Sequence, residues 1–253
     1  MFLKVGVLNE LQYRVNLVVQ LFQTAIALFT GLVVLRLVYS NVNELNGWTQ
    51  PELLVVLGIQ ILMGGVIRAW IQPNMQRLID DVREGTFDYA LVKPQDSQVL
   101  VSLRETRIWQ TVDIVTGAVV MAVGISRLES TVSFWDAIAF VIALVLGAVM
   151  IYCFWLMLST CAFWIVRMDT ISELFDGVYQ TGRWPVGIYP PWLRFGVTFL
   201  VPIAFAVTVP AQAATSRLHV QTLVFAALFA VFLFAVARWF WRYGLRNYTG
   251  ASA

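Results

Sequence analysis

Long apolar blocks separated by short polar stretches dominate the chain. A helix of about 20 apolar residues is long enough to cross a hydrocarbon core of about 30 Å. Five blocks predict membrane-spanning helices at about 15–38, 53–71, 107–127, 136–166 and 218–241. The second follows Thr49-Gln50-Pro51-Glu52, which has the spacing of a capping box with proline in the first turn. The pattern predicts an all-α integral membrane protein with a single transmembrane domain over 1–253.

The stretch from 168 to 216 leaves two alternatives for one further span. Hydropathy favours 195–214, whereas 170–189 is interrupted by charged residues and would be followed by an outer re-entrant segment at 190–214. Four prolines between 190 and 210 interrupt any straight helix there. Irregular backbone at membrane depth persists only where protein or a cavity shelters it. Both alternatives give one additional crossing, so we expect six transmembrane helices.

The distribution of basic residues predicts the orientation of the chain. Lysine and arginine accumulate in the short cytoplasmic loops of multi-pass proteins. With a cytoplasmic N-terminus, most of the 17 basic residues fall on the cytoplasmic side, including those of 68–107 and 238–246. Because this bias requires an even number of crossings, both termini are expected in the cytoplasm.

The first fourteen residues follow a separate pattern. Leu3, Val7 and Leu11 recur at helical spacing, opposite Lys4 and Glu10. Such a pattern is typical of an amphipathic helix that lies in the membrane interface. We therefore expect a short helix on the inner surface of the membrane.

Composition agrees with a membrane protein and argues against catalysis. The 253 residues are 59% hydrophobic and 13% charged, with a mean hydropathy of +0.75, whereas soluble domains carry about 25% charge. A net charge of +2 gives no indication of nucleic-acid binding. Neither Lys4 nor Lys93 follows a glycine, so a phosphate-binding P-loop is missing, and one histidine with two cysteines builds no ordinary zinc site. We expect a non-catalytic chain that binds no cofactor itself.

The largest polar segment, at 72–106, separates the second and third predicted spans. Apolar residues recur at helical spacing on both sides of Gly85, with charged residues opposite them. An amphipathic helix of this kind can lie in a groove of a partner protein. The alternative is an amphipathic loop lying on lipid headgroups, and the pattern alone leaves both open.

Residues 83–94, Arg-Glu-Gly-Thr-Phe-Asp-Tyr-Ala-Leu-Val-Lys-Pro, resemble the segment that follows the second span in ABC-2-type transporter permeases. In that family this segment forms the coupling helix that docks onto the ATPase. For docking of this kind, Val82, Phe87, Tyr89 and Leu91 are the expected apolar anchors, and Gly85 is expected to tolerate substitution poorly if it marks a bend. The complete set of residues expected at the ATPase is Val82, Arg83, Glu84, Gly85, Thr86, Phe87, Asp88, Tyr89 and Leu91.

Three further motifs occur in the order that the family shows. Gly47-Trp48-Thr49 before Pro51 fits a subfamily with paired permeases and a separate ATPase. Arg167 and Asp169 are similar to the pair after the fourth span, and residues 189–210 are similar to the proline-rich pattern before the last span. The resemblance covers nearly the whole chain and implies the ABC-2-type (type V) exporter fold. It favours 170–189 as an unusually polar fifth span and 190–214 as the re-entrant segment.

The resemblance also implies a function and its partners. The chain would be the membrane-spanning permease of an ATP-driven exporter in the inner (plasma) membrane, paired with an identical or homologous second permease. Separate ABC ATPase subunits would bind ATP and Mg²⁺, and no nucleic acid is involved. The alternative is an ATP-independent secondary transporter or a membrane assembly factor. A carrier of that type is expected to show two structural repeats with carboxylates at mid-membrane, and the sequence shows no internal repeat.

Three carboxylates fall inside predicted spans: Asp113, Glu173 and Asp176. Ionisable residues inside a membrane are costly and often functional. They are therefore candidates for a translocation path that suits a cationic or amphiphilic cargo. The alternative is structural ion pairing with Arg107, Arg167 or Arg183.

Overall fold

The computed structural model of the chain describes residues 14–128, 133–165 and 170–248, and within these ranges the protein is helical without β-strands. The helices are α1 Arg14–Tyr39, α2 Gln50–Val66, α3 Gln72–Arg83, α4 Asp88–Leu91, α5 Ser97–Ser102, α6 Thr111–Ser126, α7 Phe134–Thr160, α8 Ile171–Tyr179, α9 Pro191–Phe195, α10 Val209–Ala214 and α11 Val220–Asn247. The predicted N-terminal amphipathic helix and the pair Arg167 and Asp169 lie outside the described residues.

Several helices are long and apolar enough to cross a membrane. Over the described ranges there are five: Asn16–Tyr39, Gln50–Arg83, Ile108–Ser126, Phe134–Phe163 and Val220–Asn247. They coincide with the five apolar blocks of the sequence, which confirms the multi-pass helical architecture. The second exceeds the predicted span because α2 continues through a π-helical turn at Ile67–Ile71 directly into α3.

Neither candidate for the fifth span is one continuous helix. In the 170–189 alternative, α8 has nine residues and is followed by short 3₁₀ turns at Gln180–Arg183 and Val186–Ile188. In the other, Pro191–Leu200 and Ala204–Ala214 meet at an angle of 80°, with Pro202 at the break. Proline breaks a helix there because it lacks a backbone N–H and its ring collides with the preceding turn. The number of crossings and the choice of fifth span stay predictions.

The core of the molecule forms around α2. In the apolar window of the Gln50–Arg83 run, 83% of residues are buried, whereas the corresponding value for Val220–Asn247 is 22%. Large apolar side chains of α1 and α11 are exposed, among them Phe22, Phe29 and Leu228. A central helix surrounded by others that expose apolar faces is the arrangement expected when lipid surrounds the protein.

Close contact between α2 and α6 depends on glycine. A Cβ atom built at Gly117 would lie 2.3 Å from the backbone nitrogen of Leu62, and one at Gly58 would lie 2.5 Å from that of Met121. Helices in membranes approach closely where small residues allow their backbones to touch. The two glycines therefore set the distance between α2 and α6.

The N-terminus of α2 is fastened by charged groups. Glu52 accepts a hydrogen bond from the backbone N–H of Thr49 at 2.7 Å, so the predicted capping interaction forms. The same carboxylate makes a 2.6 Å ion pair with Arg217, whose guanidinium also lies over the ring of Trp48. These contacts join the start of α2 to the loop before α11.

Candidate functional site

The segment after α3 begins with a glycine-terminated helix end. Gly85 has a φ of 70°, a backbone conformation that favours glycine. The Gly85 N–H donates to the carbonyl of Val82 at 3.3 Å, and the Thr86 N–H donates to that of Asp81 at 2.9 Å. These are the two hydrogen bonds of a Schellman motif. The structure thus places a bend at Gly85, the condition under which the sequence predicts that this glycine tolerates substitution poorly.

The buried carboxylate of Asp81 joins this bend to the chain that returns towards α6. Only 3% of Asp81 is exposed. It accepts a hydrogen bond from Arg77 Nε at 3.1 Å and from the Thr86 hydroxyl at 3.2 Å, and it forms an ion pair with Arg104. A buried charge needs such partners because its desolvation is otherwise uncompensated. Asp81 therefore holds the start of the 83–94 segment in a defined position.

Buried Asn74 makes a second connection to the returning chain. Its side-chain oxygen accepts hydrogen bonds from the backbone N–H groups of Arg104 and Glu105, at 2.7 and 2.8 Å. Its amide nitrogen donates to the carbonyls of Trp70 and Glu105, at 2.6 and 2.8 Å. These bonds attach residues 104–105 to the α2–α3 junction, so the whole 72–106 segment is anchored at both ends.

Phe87 lies in an aromatic cluster inside this chain. None of its side chain is exposed. Its ring centroid lies 5.5 Å from that of Phe163, 6.2 Å from Trp241 and 5.4 Å from Tyr248. In this structure the Phe87 side chain is covered by α11 and by the turn that follows α7, so it is not exposed to a partner; its role as an anchor for the ATPase stays a prediction. Burial, together with neighbouring Asp88, raises the pKa of the Tyr248 hydroxyl.

The exposed apolar edge of the segment consists of Tyr89, Leu91 and Val92. Their exposed fractions are 77%, 39% and 86%. Arg83 and Glu84 are exposed beside this edge, and Arg83 pairs with Asp80 at 3.4 Å. Val82, Gly85, Thr86 and Asp88 are partly buried. Of the predicted anchors, Tyr89 and Leu91 therefore face outward, and Val92 belongs with them although it was not predicted.

A second connection links the segment to the last helix. Arg238 of α11 forms a two-point ion pair with Asp96 and also donates to Gln98 Oε1 at 2.6 Å. The Arg238 guanidinium holds the pKa of Asp96 well below its usual range, at about 2. Gln98 in turn donates to the hydroxyl of Tyr152 in α7 at 3.1 Å. The segment is thus connected to α7 and α11 as well as to α2.

A polar cavity of about 290 Å³ lies between α1, α2, α6 and α8. Most of its lining side chains can form hydrogen bonds. The lining residues are Gln20, Gln23, Thr24, Ala27, Leu57, Gln60, Ile61, Arg68, Gln110, Asp113, Asp176, Gln180 and Arg183. Ligand sites are concave and orient their ligands with a few convergent polar groups, so this cavity is a candidate binding site.

Asp113 is part of a closed hydrogen-bond ring in this cavity. Arg68 Nη2 donates to Asp113 Oδ2 at 2.7 Å, and Arg68 Nε donates to Gln110 Oε1 at 3.3 Å. Gln110 donates to Gln20 Oε1 at 2.9 Å, and Gln20 donates back to Asp113 Oδ1 at 3.0 Å. The hydroxyl of Thr24 also donates to Oδ1. Both oxygens of Asp113 are therefore engaged.

The structure separates the three predicted path carboxylates. Asp113 and Asp176 both line the cavity, whereas Glu173 is exposed and is not among the lining residues. Arg68 is the ion-pair partner of Asp113, in place of the arginines named as alternatives from the sequence. The sequence did not predict Arg68 as the partner of Asp113 because the two residues are far apart in the chain, with the whole 72–106 segment between them. The one available signal was an arginine inside the second apolar run.

The remaining groups of the cavity have unused hydrogen-bonding capacity. Among the described residues, no hydrogen bond forms to the side-chain amides of Gln23, Gln60 or Gln180. Gln60 is only 6% exposed, yet it lines the cavity. Gln23 and Gln180 are exposed, whereas the Nε of Arg183 is buried and has no hydrogen-bond partner among the described residues. Buried polar groups without partners are rare in folded proteins and call for an explanation.

The described residues contain no group of three or more His, Cys, Asp or Glu side chains that could hold a metal ion. The described fold defines a multi-pass helical membrane protein.

The chain belongs to the ABC-2 transporter family: residues 25–252 match the family described as "ABC-2 family transporter protein". No curated protein and no solved structure matches it. This match confirms the family resemblance found in the sequence. It identifies the chain as a transmembrane transport component, and such components are generally non-catalytic. Membership of the family also implies association with an ABC ATPase.

Proposed function

We propose that this chain is the permease subunit of an ATP-driven exporter and that separate ATPase subunits act on it through the 83–94 segment. The observation that carries this proposal is the exposed apolar edge of Tyr89, Leu91 and Val92, held on an otherwise anchored segment. Exposed apolar residues beside charged ones are typical of a protein-interaction site. ATP and Mg²⁺ bind to the ATPase, and this chain supplies no catalytic residue.

The contacts behind the edge give a route for transmitting movement. Gly85 and Asp81 connect the edge to α3, which continues into α2 through the π-helical turn. Phe87 connects it to α11 through Trp241 and Tyr248. Displacement of the edge by a closing ATPase would therefore act on both the central helix and the last helix. Coupling of this kind requires each site to bias the same conformational equilibrium.

The wider assembly follows from the same proposal. Two permeases, identical or homologous, form the pathway in the cell inner membrane, with both termini and the 72–106 segment in the cytoplasm. In this assembly the cavity that contains Asp113 and Asp176 is part of the translocation path. Cysteine labelling after Ala253 and near Gln95 tests the orientation, and labelling of the C-terminus from outside would refute it.

Co-purification with an ABC ATPase tests the coupling edge directly. Tyr89→Asp places a charge on the exposed edge and is expected to detach the ATPase and abolish cargo-stimulated ATP turnover in lipid. Tyr89→Phe keeps the ring and serves as the matched control, while Glu84→Gln is expected to have a mild effect because rim charges mainly tune association. Full retention of the ATPase by Tyr89→Asp would exclude this edge as the coupling element.

A further inference from the structure

Charge balance in the polar cavity limits the ligands it can hold. Arg68 and Asp113 neutralise each other in a direct ion pair. The other charged lining residues, Arg183 and Asp176, carry opposite formal charges. A charged ligand would therefore enter a cavity without net compensating charge and would lose its hydration, which is costly at membrane depth.

The free groups of the cavity are suited to hydrogen bonding with an uncharged partner. Gln23, Gln60 and Gln180 each offer an amide that both donates and accepts. Among the described residues no hydrogen bond forms to the side-chain amide of buried Gln60, whose backbone carbonyl accepts one from Tyr179. Hydroxyl groups of a sugar or polyol also both donate and accept, so they can satisfy these amides without bringing charge into the site.

The volume of the cavity sets the size of the ligand. At about 290 Å³ it lies just below the range of about 300–1,000 Å³ for small-molecule sites. A smaller apolar cavity of about 70 Å³, lined by Gly31, Val34, Leu35 and Trp184, adjoins it through shared Leu57 and Arg183. The pair of cavities thus accommodates a compact polar group with an apolar attachment.

We infer that the cavity between α1, α2, α6 and α8 binds an uncharged, polyhydroxylated group, such as the sugar or polyol head of an amphiphile. Gln60, Gln23 and Gln180 bind its hydroxyls, and the Arg68–Asp113 ring shapes the wall behind them. Asp113 is saturated by its neighbours and does not select a cation. If the chain is the proposed exporter, this ligand is its cargo. The identification as cargo rests on the proposed function, whereas the binding itself does not.

Binding to the full-length permease in nanodiscs tests the inference without any ATPase. Three probes with the same octyl chain are titrated by calorimetry below their micellar concentrations, with empty nanodiscs subtracted: octyl glucoside, octyltrimethylammonium and octyl sulfate. We expect the glucoside to bind at least about tenfold more tightly than either charged probe. Tighter or equal binding of a charged probe, or binding of none of the three, would overturn the inference.

Substitutions locate the binding at the cavity. Gln60→Leu preserves approximate size and removes the amide, and it is expected to weaken glucoside binding by about 5–30-fold, corresponding to one or two lost hydrogen bonds. Gln212→Leu, in a half-buried glutamine outside the cavity, is the control and leaves binding unchanged. Gln23→Leu, at an exposed position of α1, replaces the first variant if that variant does not fold. Glucoside binding that is unaffected in the folded variants places the ligand elsewhere and refutes the site.

The two proposals fail separately. Loss of ATPase coupling in the Tyr89 experiment, with no selectivity among the octyl probes, would contradict the cargo class and leave the permease function standing. Selective glucoside binding together with an ATPase that ignores Tyr89→Asp would contradict the coupling edge and leave the binding site standing.

Discussion

Truncation of Phe87 distinguishes a structural role from a docking role. A residue that inserts into a partner contributes little to the stability of the isolated permease, whereas a residue buried in the chain's own core contributes a great deal. Phe87 is fully buried among the rings of Phe163, Trp241 and Tyr248, at centroid distances between 5.4 and 6.2 Å. Removing a buried phenylalanine side chain costs about 3–5 kcal/mol, because apolar contacts are lost and a cavity remains.

We therefore expect Phe87→Ala to lower the free energy of unfolding of the ATPase-free permease by about 3–5 kcal/mol. Tyr89→Ala, at a side chain that is 77% exposed, changes it by less than about 0.5 kcal/mol. The assay is denaturant-induced or thermal unfolding of each purified variant in the same detergent. Phe87→Leu is the conservative control and is expected to recover much of the loss.

The outcome for the ATPase follows from the same geometry. Phe87→Ala weakens ATPase retention indirectly, through disorder in the 83–94 segment, whereas Tyr89→Asp weakens it directly in a stable permease. Unchanged stability of Phe87→Ala, combined with loss of the ATPase, would show that Phe87 contacts the partner and would refute its assignment to the internal cluster.

Three further predictions concern helix packing, the bend and the cavity. Gly117→Ala is expected to separate α2 from α6 and to lower thermal stability strongly. Gly177→Ala is the control and leaves stability nearly unchanged, because the space around its Cβ is open. Equal stability of both variants would contradict the close contact between α2 and α6. Gly85→Ala costs about 1–2 kcal/mol in unfolding free energy because its φ is positive, and a neutral result would contradict the left-handed bend. Asp113→Asn leaves Arg68 without its carboxylate and destabilises the permease, whereas adding Arg68→Gln restores part of the loss; additive losses in the unfolding assay would contradict the ion pair.

The transmembrane pattern was predictable because the bilayer imposes it on the sequence. A hydrocarbon core requires long uncharged helices, so the apolar blocks at 15–38, 136–166 and 218–241 correspond closely to α1, α7 and α11. Local backbone chemistry was also accessible, as the bend at Gly85 and the capping by Glu52 show. Both depend on residues only a few positions apart.

Contacts between distant segments could not be predicted in the same way. The helical spacing of apolar residues is the same whether a phenylalanine contacts the chain's own core or a partner. Phe87 is covered only because α11 and the end of α7 pack against it. The partner of Asp113 depends on how α2 crosses α6, which in turn depends on backbone contact at Gly58 and Gly117. Single-sequence periodicity contains no information about such crossings, so the ring around Asp113 became visible only with the structure.

The Arg68–Asp113 pair has a consequence for the biogenesis of the protein. The chain is synthesised from its N-terminus, so α2 and the π-helical turn with Arg68 are made before α6 with Asp113. Until α6 arrives, this arginine has no Asp113 carboxylate beside it, and an ionised side chain at the end of an apolar run is costly wherever it meets hydrocarbon. A chain that ends before residue 113 therefore lacks the carboxylate that neutralises Arg68 in the folded protein.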